Sequence, residues 1–247
     1  MNLKITIITA TFNSEKHLRQ TLISVSNQLY KNIEHIIIDG GSSDNTLSIC
    51  KEFSHVTKII SEKDNGIYDA LNKGLKIATG DIIGFLHSDD YLNNELVLLE
   101  IANQFHNNSN LDATISDIVF INKPENKIIR KYSSKNWSPK LFAWGKMPPH
   151  PAVFCKNSVY KNLFFDTSFK IAADYDILIK IFYKNRIKYK YLPLITTVMR
   201  FGGMSTKGLN SNLLINKEVL IACKNNNIYT NKFMLFSKYI FKIFELI

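Results

Sequence analysis

The 247-residue sequence has little cysteine and no long apolar run. Its three cysteines, Cys50, Cys155 and Cys223, lie far apart without C-x-x-C spacing. This argues against a disulfide framework or a zinc site and favours a reducing compartment. No apolar stretch approaches the roughly 20 residues of a membrane span, and the one in MNLKITIITATFN is too short for a signal peptide. We therefore expect a cytoplasmic protein, soluble or peripheral on the inner face of the cell membrane.

Several catalytic motifs are also missing. There is no G-x-x-x-x-G-K-[ST], which excludes a phosphate-cradling P-loop, and no G-x-S-x-G. No G-x-G-x-x-G follows the first strand pattern, and in IDGGSSDNT an aspartate precedes the glycines. A dinucleotide-binding turn is therefore a poor match.

Charge is weighted to one sign. There are 31 Lys and Arg against 21 Asp and Glu, a net charge of +10. Such a balance is typical of proteins with polyanionic partners, but the basic residues form no long run, which favours a solvated lysine-rich surface. With 45% hydrophobic and 21% charged residues, the composition fits one large α/β domain, with or without an appendage.

The first third of the chain alternates strand and helix patterns. Apolar, β-branched runs predict four strands at KITIITATF, IEHIIIDGG, HVTKIIS and DIIGFLHSDD. Between them, helical spacing predicts SEKHLRQTLISVSNQ with Ser14 as N-cap, SSDNTLSICKEF, and a helix ended by Gly80. Further on, we predict a strand pair around the turn KPEN and a helix in IAADYDILIKIFYKN. This order predicts a mostly parallel sheet flanked by helices.

Polar and acidic side chains gather at the predicted strand ends, where ligands bind in such sheets. The fourth strand ends at two adjacent aspartates, Asp89 and Asp90, whose carboxylates repel each other. Mn²⁺ or Mg²⁺ would resolve the repulsion and bridge the protein to a nucleotide diphosphate. A turn with a helix N-cap is the alternative, and the pair alone does not decide between them.

Two longer stretches together resemble the catalytic domain of glycosyltransferase family 2. They are ITIITATFNSEKHLRQTLISVSNQLYKNIEHIIIDGGSSDNT and SEKDNGIYDALNKGLKIATGDIIGFLHSDDYL. The resemblance is strong over residues 1–95 and patchy to residue 205. It implies a GT-A fold and transfer of a sugar from a nucleotide-diphosphate-sugar, most commonly a UDP-sugar, with inversion. It also implies a donor-binding part over 1–95 and an acceptor-binding part over 96–205. Beyond the resemblance, we predict a helical C-terminal extension over 206–247.

The resemblance assigns roles to individual residues. It implies that Asp39 contacts the base and that Asp90 is the metal ligand, in a Ser-Asp-Asp form of the family's Asp-x-Asp motif. The other residues it places beside the nucleotide or sugar are Thr9, Thr11, Asn13, Asp69, Lys73, Ser88 and Asp89. The i,i+4 spacing of Asp69 and Lys73 equally fits a surface ion pair.

An inverting displacement also needs a base that deprotonates the acceptor hydroxyl. In this family the acid stands at the start of a helix that FKIAADYDILIK matches, so Asp174 is the predicted base and Asp176 its substitute. A helix cap is the alternative for Asp174. His150 is predicted to contact donor or acceptor, with a packed or surface histidine as the alternative.

RFGGMST, residues 200–206, resembles a loop that closes over the donor in this family. Arg200 is predicted to face the diphosphate, and the glycines to supply a hinge. Lys63 and Lys207 are weaker candidates of the same kind, for which a solvent-facing lysine is the simpler interpretation.

The tail NKFMLFSKYIFKIFELI predicts a helix with Phe233, Phe236, Ile240, Ile243 and Phe244 roughly on one face. It fits an interfacial helix on an anionic leaflet, or a helix packed on the catalytic domain or on a second subunit as in a homodimer; both stay open. Membrane contact would suit a saccharide acceptor on polyprenyl diphosphate, as used in bacterial O-antigen (lipopolysaccharide), capsule or exopolysaccharide assembly.

Two other functions compete with this prediction. A nucleotidyltransferase usually wants a Gly-rich, basic loop after the first strand, which TATFNSEKH does not offer. A basic, non-enzymatic module would bind nucleic acid or membrane, but the acidic strand ends would repel phosphates unless a cation intervened. The leading prediction is a metal-dependent hexosyl- or N-acetylhexosaminyltransferase without a nucleic-acid partner.

Overall fold

The computed structural model describes residues 3–122, 127–201 and 209–243. The strands are β1 Ile5–Thr11, β2 Ile33–Asp39, β3 Val56–Ser61, β4 Ile82–Phe85, β5 Tyr91–Leu92, β6 Ala113–Ile121, β7 Ile128–Tyr132, β8 Val153–Lys156 and β9 Tyr189–Arg200. The helices are α1 Leu18–Ser26, α2 Thr46–Lys51, α3 Ile67–Ile77, α4 Val97–Asn107, α5 Ala173–Leu178, α6 Leu209–Asn225 and α7 Lys232–Ile243. Within these residues one sheet runs in the order β3-β2-β1-β4-β8-β6-β9-β5, with β7 beside β6.

The first half of the sheet is parallel and covered on both faces, as predicted. β1 pairs in parallel with β2 and β4, and β2 with β3. The isoleucines of β2 alternate: Ile36 and Ile38 belong to the core cluster that includes α3, whereas Ile37 packs with α1 and α2. Helices on both faces explain why the strand is a continuous apolar run.

Beyond β4 the sheet is mixed. β8 pairs antiparallel with β4 and β6, whereas β9 runs parallel to β6. β6 and β7 form the predicted antiparallel pair; their predicted turn, residues 123–126, lies outside the described residues. Gly84 permits the close approach of β4 and β8, because a Cβ there would lie 2.3 Å from the ring of Phe154. The contact fixes the strand that leads to the Asp89–Asp90 turn.

The helix over residues 173–184 changes character along its length. α5 gives way to π-helical turns over Ile179–Lys184. The predicted inner face, Ile177, Ile181 and Phe182, is buried. α6 packs against α5, and none of the described helices has the length and hydropathy of a membrane span.

Two predicted helix boundaries were wrong. α1 starts at Leu18, and Ser14 does not cap it; instead the Ser14 hydroxyl lies 2.9 Å from that of Ser88, in the turn after β4. α3 ends at Ile77 rather than at Gly80. In both cases a group that was expected to end a neighbouring helix has a partner elsewhere in the fold. The Gly80 amide, for example, donates to the Thr6 hydroxyl of β1.

Candidate active site

A cavity of about 440 Å³ lies between the end of β4 and the start of α5. Residues 87–90 line it from one element, and Lys170, Ile171, Ala172, Asp174 and Tyr175 from the other. Further walls come from β6, β7, β9 and α6. The predicted acidic pair and the predicted base therefore line one cavity.

The Asp89–Asp90 turn is held by its backbone. The Thr21 hydroxyl of α1 lies 3.0 Å from the carbonyl oxygen of Ser88 and 2.6 Å from that of Asp90, and donates to them. Leu96 is the N-cap of the following helix, α4, so the capping alternative for the aspartates is wrong. Neither aspartate therefore caps α4.

The two carboxylates differ in exposure. Asp89 is partly exposed, whereas Asp90 is 1% exposed. Burial, with the nearby Asp89 charge, raises the pKa of Asp90 well above its usual value, against the backbone N–H and charge of Arg200. Its Oδ2 has no hydrogen-bond partner among the described residues. A buried carboxylate oxygen without a partner is costly, and a bound cation would satisfy it.

Asp174 stands in the first turn of α5 and lines the cavity. Ala172 is the N-cap, so the capping alternative is wrong here as well. Burial raises the pKa of Asp174 to about 6; the backbone N–H groups and the Tyr68 hydroxyl lower it, and the Glu218 charge adds to the rise. A carboxylate with such a pKa suits general-base catalysis near neutral pH.

Asp176, the predicted substitute base, is wrong for that role. It is 1% exposed, accepts a 2.7 Å hydrogen bond from the Asn226 amide, and forms a 2.6 Å ion pair with Lys180. It does not line the cavity. Its carboxylate is committed to joining α5 to the residues after α6.

His150 and Arg200 both line the cavity. His150 is 3% exposed and stacks on Phe85 with ring centroids 4.7 Å apart; burial lowers its pKa to about 3, so the imidazole is neutral. The Arg200 guanidinium bonds Gln20 and lies 5.6 Å from the ring centre of Tyr91. The hinge glycines after Arg200 and Lys207 lie outside the described residues.

The carboxyl ends of β1 and β2 form a second part of the site. Asn13 is exposed. Its backbone amide donates to the Ser42 hydroxyl (2.8 Å), and its side-chain Oδ1 accepts from the Ser43 backbone amide (3.0 Å). Thr11 is buried at the strand end, and its hydroxyl has no partner within the described ranges. The predicted ligand contact by Thr9 was wrong, because its hydroxyl is fully buried and hydrogen-bonds His35, 3.0 Å away.

Asp39 lies at this edge, and its carboxylate already accepts hydrogen bonds from the protein. Its carboxylate is buried and accepts hydrogen bonds from the amides of Gly41 (3.1 Å) and Ser42 (2.9 Å) and from the Ser42 and Ser61 hydroxyls. In this conformation Asp39 orders the loop after β2. Contact with a base stays a prediction.

The predicted Lys63 and Lys73 do not line the cavity. Lys73 lies 2.9 Å from Glu62 and 3.7 Å from Asp69, so the ion-pair interpretation of Asp69 and Lys73 is confirmed. Lys63 is exposed. Donor contacts by these three residues stay predictions.

Two residues were missed. Phe12 is 61% exposed directly after β1. An aromatic residue between two polar strand-end residues, Thr11 and Asn13, is a signal that the sequence contained. No signal in the sequence indicated the role of Thr21, because its partners lie 67 and 69 positions away along the chain.

Comparison with known proteins identifies the class. The model of glycosyl transferase family 2 matches residues 6–182. A glycosyltransferase from Mycobacterium tuberculosis (strain H37Rv), the uncharacterized Rv1514c, is 31% identical over 71% of this chain and 68% of its own. Glycosyltransferase GlyA of Streptococcus pneumoniae is 39% identical over 97 residues, which span 38% of this chain and 14% of that protein.

Solved structures agree with this class. Staphylococcus aureus TarS 1–349 in complex with UDP-GlcNAc has a TM-score of 0.69 at 18% identity, covering 92% of this chain and 68% of that one. Glucosyl-3-phosphoglycerate synthase from M. tuberculosis, in complex with Mn²⁺, UDP and phosphoglyceric acid, has a TM-score of 0.65 at 15% identity, covering 93% and 80%. The predicted GT-A fold is confirmed. The chain belongs to glycosyltransferase family 2, and the predicted enzyme class, a glycosyltransferase, is confirmed with it.

Proposed function

We propose that this protein is an inverting glycosyltransferase that moves a sugar from a nucleotide-diphosphate-sugar, a UDP-sugar in the first instance, to a hydroxyl of a saccharide acceptor. One observation carries the proposal: the Asp89–Asp90 turn and Asp174, with its pKa near 6, line the same cavity. A base and a diphosphate-binding group must share one site for a single displacement.

Asp89 and Asp90 are the residues that would hold Mn²⁺ or Mg²⁺. The unpartnered Oδ2 of Asp90 and the partly exposed Asp89 fit a hard cation. No group of three or more His, Cys, Asp or Glu residues suited to a metal occurs in the part of the chain that the structure describes. That fits a cation bound through one or two carboxylates and the substrate's phosphates. When bound, it supplies Lewis-acid stabilisation of the departing diphosphate.

The chain's own groups carry the other steps. Asp174 takes the proton of the acceptor hydroxyl while the hydroxyl oxygen forms a bond to the anomeric carbon. The bond from that carbon to the diphosphate breaks on the opposite side. Arg200 faces the diphosphate as its charge grows. Neutral His150 contacts donor or acceptor without adding charge, and Ser88, Thr11 and Asn13 border the nucleotide.

A direct test is transfer itself. The protein is incubated with UDP-, GDP- or dTDP-sugars and saccharide acceptors, with Mn²⁺ or with chelator, and products are identified by mass spectrometry. We expect a glycosylated acceptor with inverted anomeric configuration, formed only with the cation. Cation-independent transfer, or retained configuration, would contradict the mechanism.

Phe12→Ala is expected to weaken nucleotide binding. The exposed ring beside Asn13 offers a face on which a base can stack, and such stacking contributes about 1–3 kcal/mol, or roughly five- to 150-fold in Kd. Calorimetric titration with UDP measures the loss. Phe164→Ala, at another exposed phenylalanine, is the matched control; equal affinity in both variants would remove Phe12 from the site.

The acceptor is proposed to be lipid-linked, as in bacterial surface-polysaccharide assembly, and the protein to dock on an anionic membrane. Tyr229, Phe233 and Phe236 are 80%, 80% and 51% exposed, beside the exposed Lys224 and Lys232. From Val219 to Ile243 the sequence has no acidic residue. Exposed aromatic rings together with lysines complement an anionic lipid surface.

Vesicle co-sedimentation tests this docking. Binding is expected to vesicles that contain phosphatidylglycerol and to fall with salt and with the double change Phe233→Ser and Phe236→Ser. Phe164→Ser is the control. If the double change instead converts a dimer to a monomer in light scattering, the surface joins two copies of the chain.

A further inference from the structure

The loop that leads into α5 is held by a carboxylate from outside the family-matched region. Glu218 of α6 is 6% exposed, and it accepts hydrogen bonds from three consecutive backbone amides. The Lys170 amide donates to Oε1, and the amides of Ile171 and Ala172 donate to Oε2, each over 2.9 Å. The family model ends at residue 182, so the Glu218 side of this contact lies beyond the matched residues.

These amides fix the part of the backbone that carries the base. Lys170, Ile171 and Ala172 line the cavity, and Ala172 is the N-cap of the helix whose first turn contains Asp174. On the other side of this loop, the Tyr68 hydroxyl of α3 donates to the Ile171 carbonyl. Charge-assisted bonds to a carboxylate are the strong ones, so Glu218 is the main restraint on this loop from α6.

We propose that Glu218 is a positioning residue, which holds residues 170–172 so that the Asp174 carboxylate stands at the acceptor hydroxyl. The inference rests on the proposed role of Asp174. α6 also contributes Ile215 and Val219 to the cavity wall, so this helix forms part of the catalytic site. A misplacement of about 1 Å in a reacting group costs on the order of 100-fold in rate.

Glu218 also acts on Asp174 through charge. Its carboxylate favours the neutral form of Asp174 and so adds to the raised pKa, while the Tyr68 hydroxyl opposes it. The other charged groups on the cavity wall are Arg130 of β7, Lys170 and Arg200, with Asp89 and Asp90 across the cavity. Removing the Glu218 charge is therefore expected to move the acid limb of the rate profile to lower pH. Glu218→Asp, which keeps the charge, shows how much of any such movement comes from loosened packing around Asp174 instead.

The experiment compares Glu218→Gln and Glu218→Asp with wild type. Glutamine keeps the shape but points an NH₂ group at one of the donating amides and removes the charge; aspartate keeps the charge and loses reach. Both are expected to lower kcat by about 10- to 100-fold with unchanged nucleotide affinity. Only Glu218→Gln is expected to shift the acid limb. Lys217→Gln, an exposed neighbour on α6, is the control.

Amide hydrogen exchange over residues 168–176 gives a second readout that needs no activity. Faster exchange at residues 170–172 in Glu218→Gln is expected. Unchanged exchange would overturn the restraint itself, and faster exchange with unchanged kcat and acid limb would overturn the positioning role. If wild type transfers no sugar, the proposed function fails, while the exchange result still decides whether Glu218 holds the loop.

Discussion

Replacing Asp174 by asparagine is expected to slow sugar transfer by about 10²- to 10⁴-fold, the usual contribution of a general base. Nucleotide affinity should stay unchanged, because the strand-end residues and the Asp89–Asp90 turn are untouched. Single-turnover transfer and calorimetric nucleotide binding measure the two effects separately. Full transfer would hand the role of base to another residue.

The wild-type rate should also depend on pH through this group. Since the base must be ionised, the rate is expected to fall as pH drops below about 6, the raised pKa of Asp174. Residual transfer by Asp174→Asn should lack that acid limb. Asp176→Asn is the matched comparison: its carboxylate pairs with Lys180 and Asn226, so it should lower the melting temperature and keep the limb.

Asp174→Asn should also stabilise the fold. The folded pKa of Asp174, about 6, lies above its ordinary value of 3.8, so ionisation is less favourable in the folded protein. This cost is present above pH 6 and absent below pH 3.8; a shift of this size corresponds to the order of 3 kcal/mol. Asp174→Asn should therefore melt at a higher temperature than wild type at pH 7, with the difference shrinking towards pH 4. A lower melting temperature at pH 7 would show that the carboxylate is stabilised by its surroundings.

Asp90→Asn is expected to abolish the cation-dependent part of nucleotide binding. In wild type, Mn²⁺ with UDP should raise the melting temperature by mass action, and chelator should remove the gain. In the variant the gain should disappear. Without cation the variant should be more stable than wild type, because burial makes the Asp90 charge unfavourable. This opposite sign separates loss of a ligand from misfolding.

Two further variants sharpen the metal assignment. Asp89→Asn should also weaken the cation effect, since the partly exposed Asp89 is the carboxylate that solvent reaches first. Glu100→Gln, which removes an exposed carboxylate on α4, controls for net charge. If Asp90→Asn kept the full Mn²⁺-dependent affinity for UDP, Asp90 would not be a metal ligand.

The parallel half of the sheet could be predicted because its signals are local. A run such as that of β2, with helical spacing on each side, indicates a strand covered on both faces, and the strand order then places Asp39, Asp89 and Asp90 at one edge. Asp174 was placed by resemblance to a family motif. These inferences drew on patterns along contiguous stretches of the chain and needed no knowledge of contacts between distant residues.

The remainder depends on partners that are distant in sequence. Nothing around Glu218 indicates that it accepts amides 46 to 48 positions earlier. Similarly, Asp39 looks like a free acid in sequence, but Ser61, 22 positions away, already bonds it. A polar residue's role follows from what the fold brings to it, and the spacing of residues does not contain that information.

The restraint on residues 170–172 bears on how enzymes of this class can be recombined. A chimera joined between residues 182 and 209 would keep the whole matched region and exchange α6 for that of another enzyme. In this chimera a helix from another enzyme would hold the loop before Asp174, and activity would depend on whether that helix has a carboxylate at the position of Glu218. A junction placed after Asn226, which bonds Asp176, would transfer the base and its support as one unit.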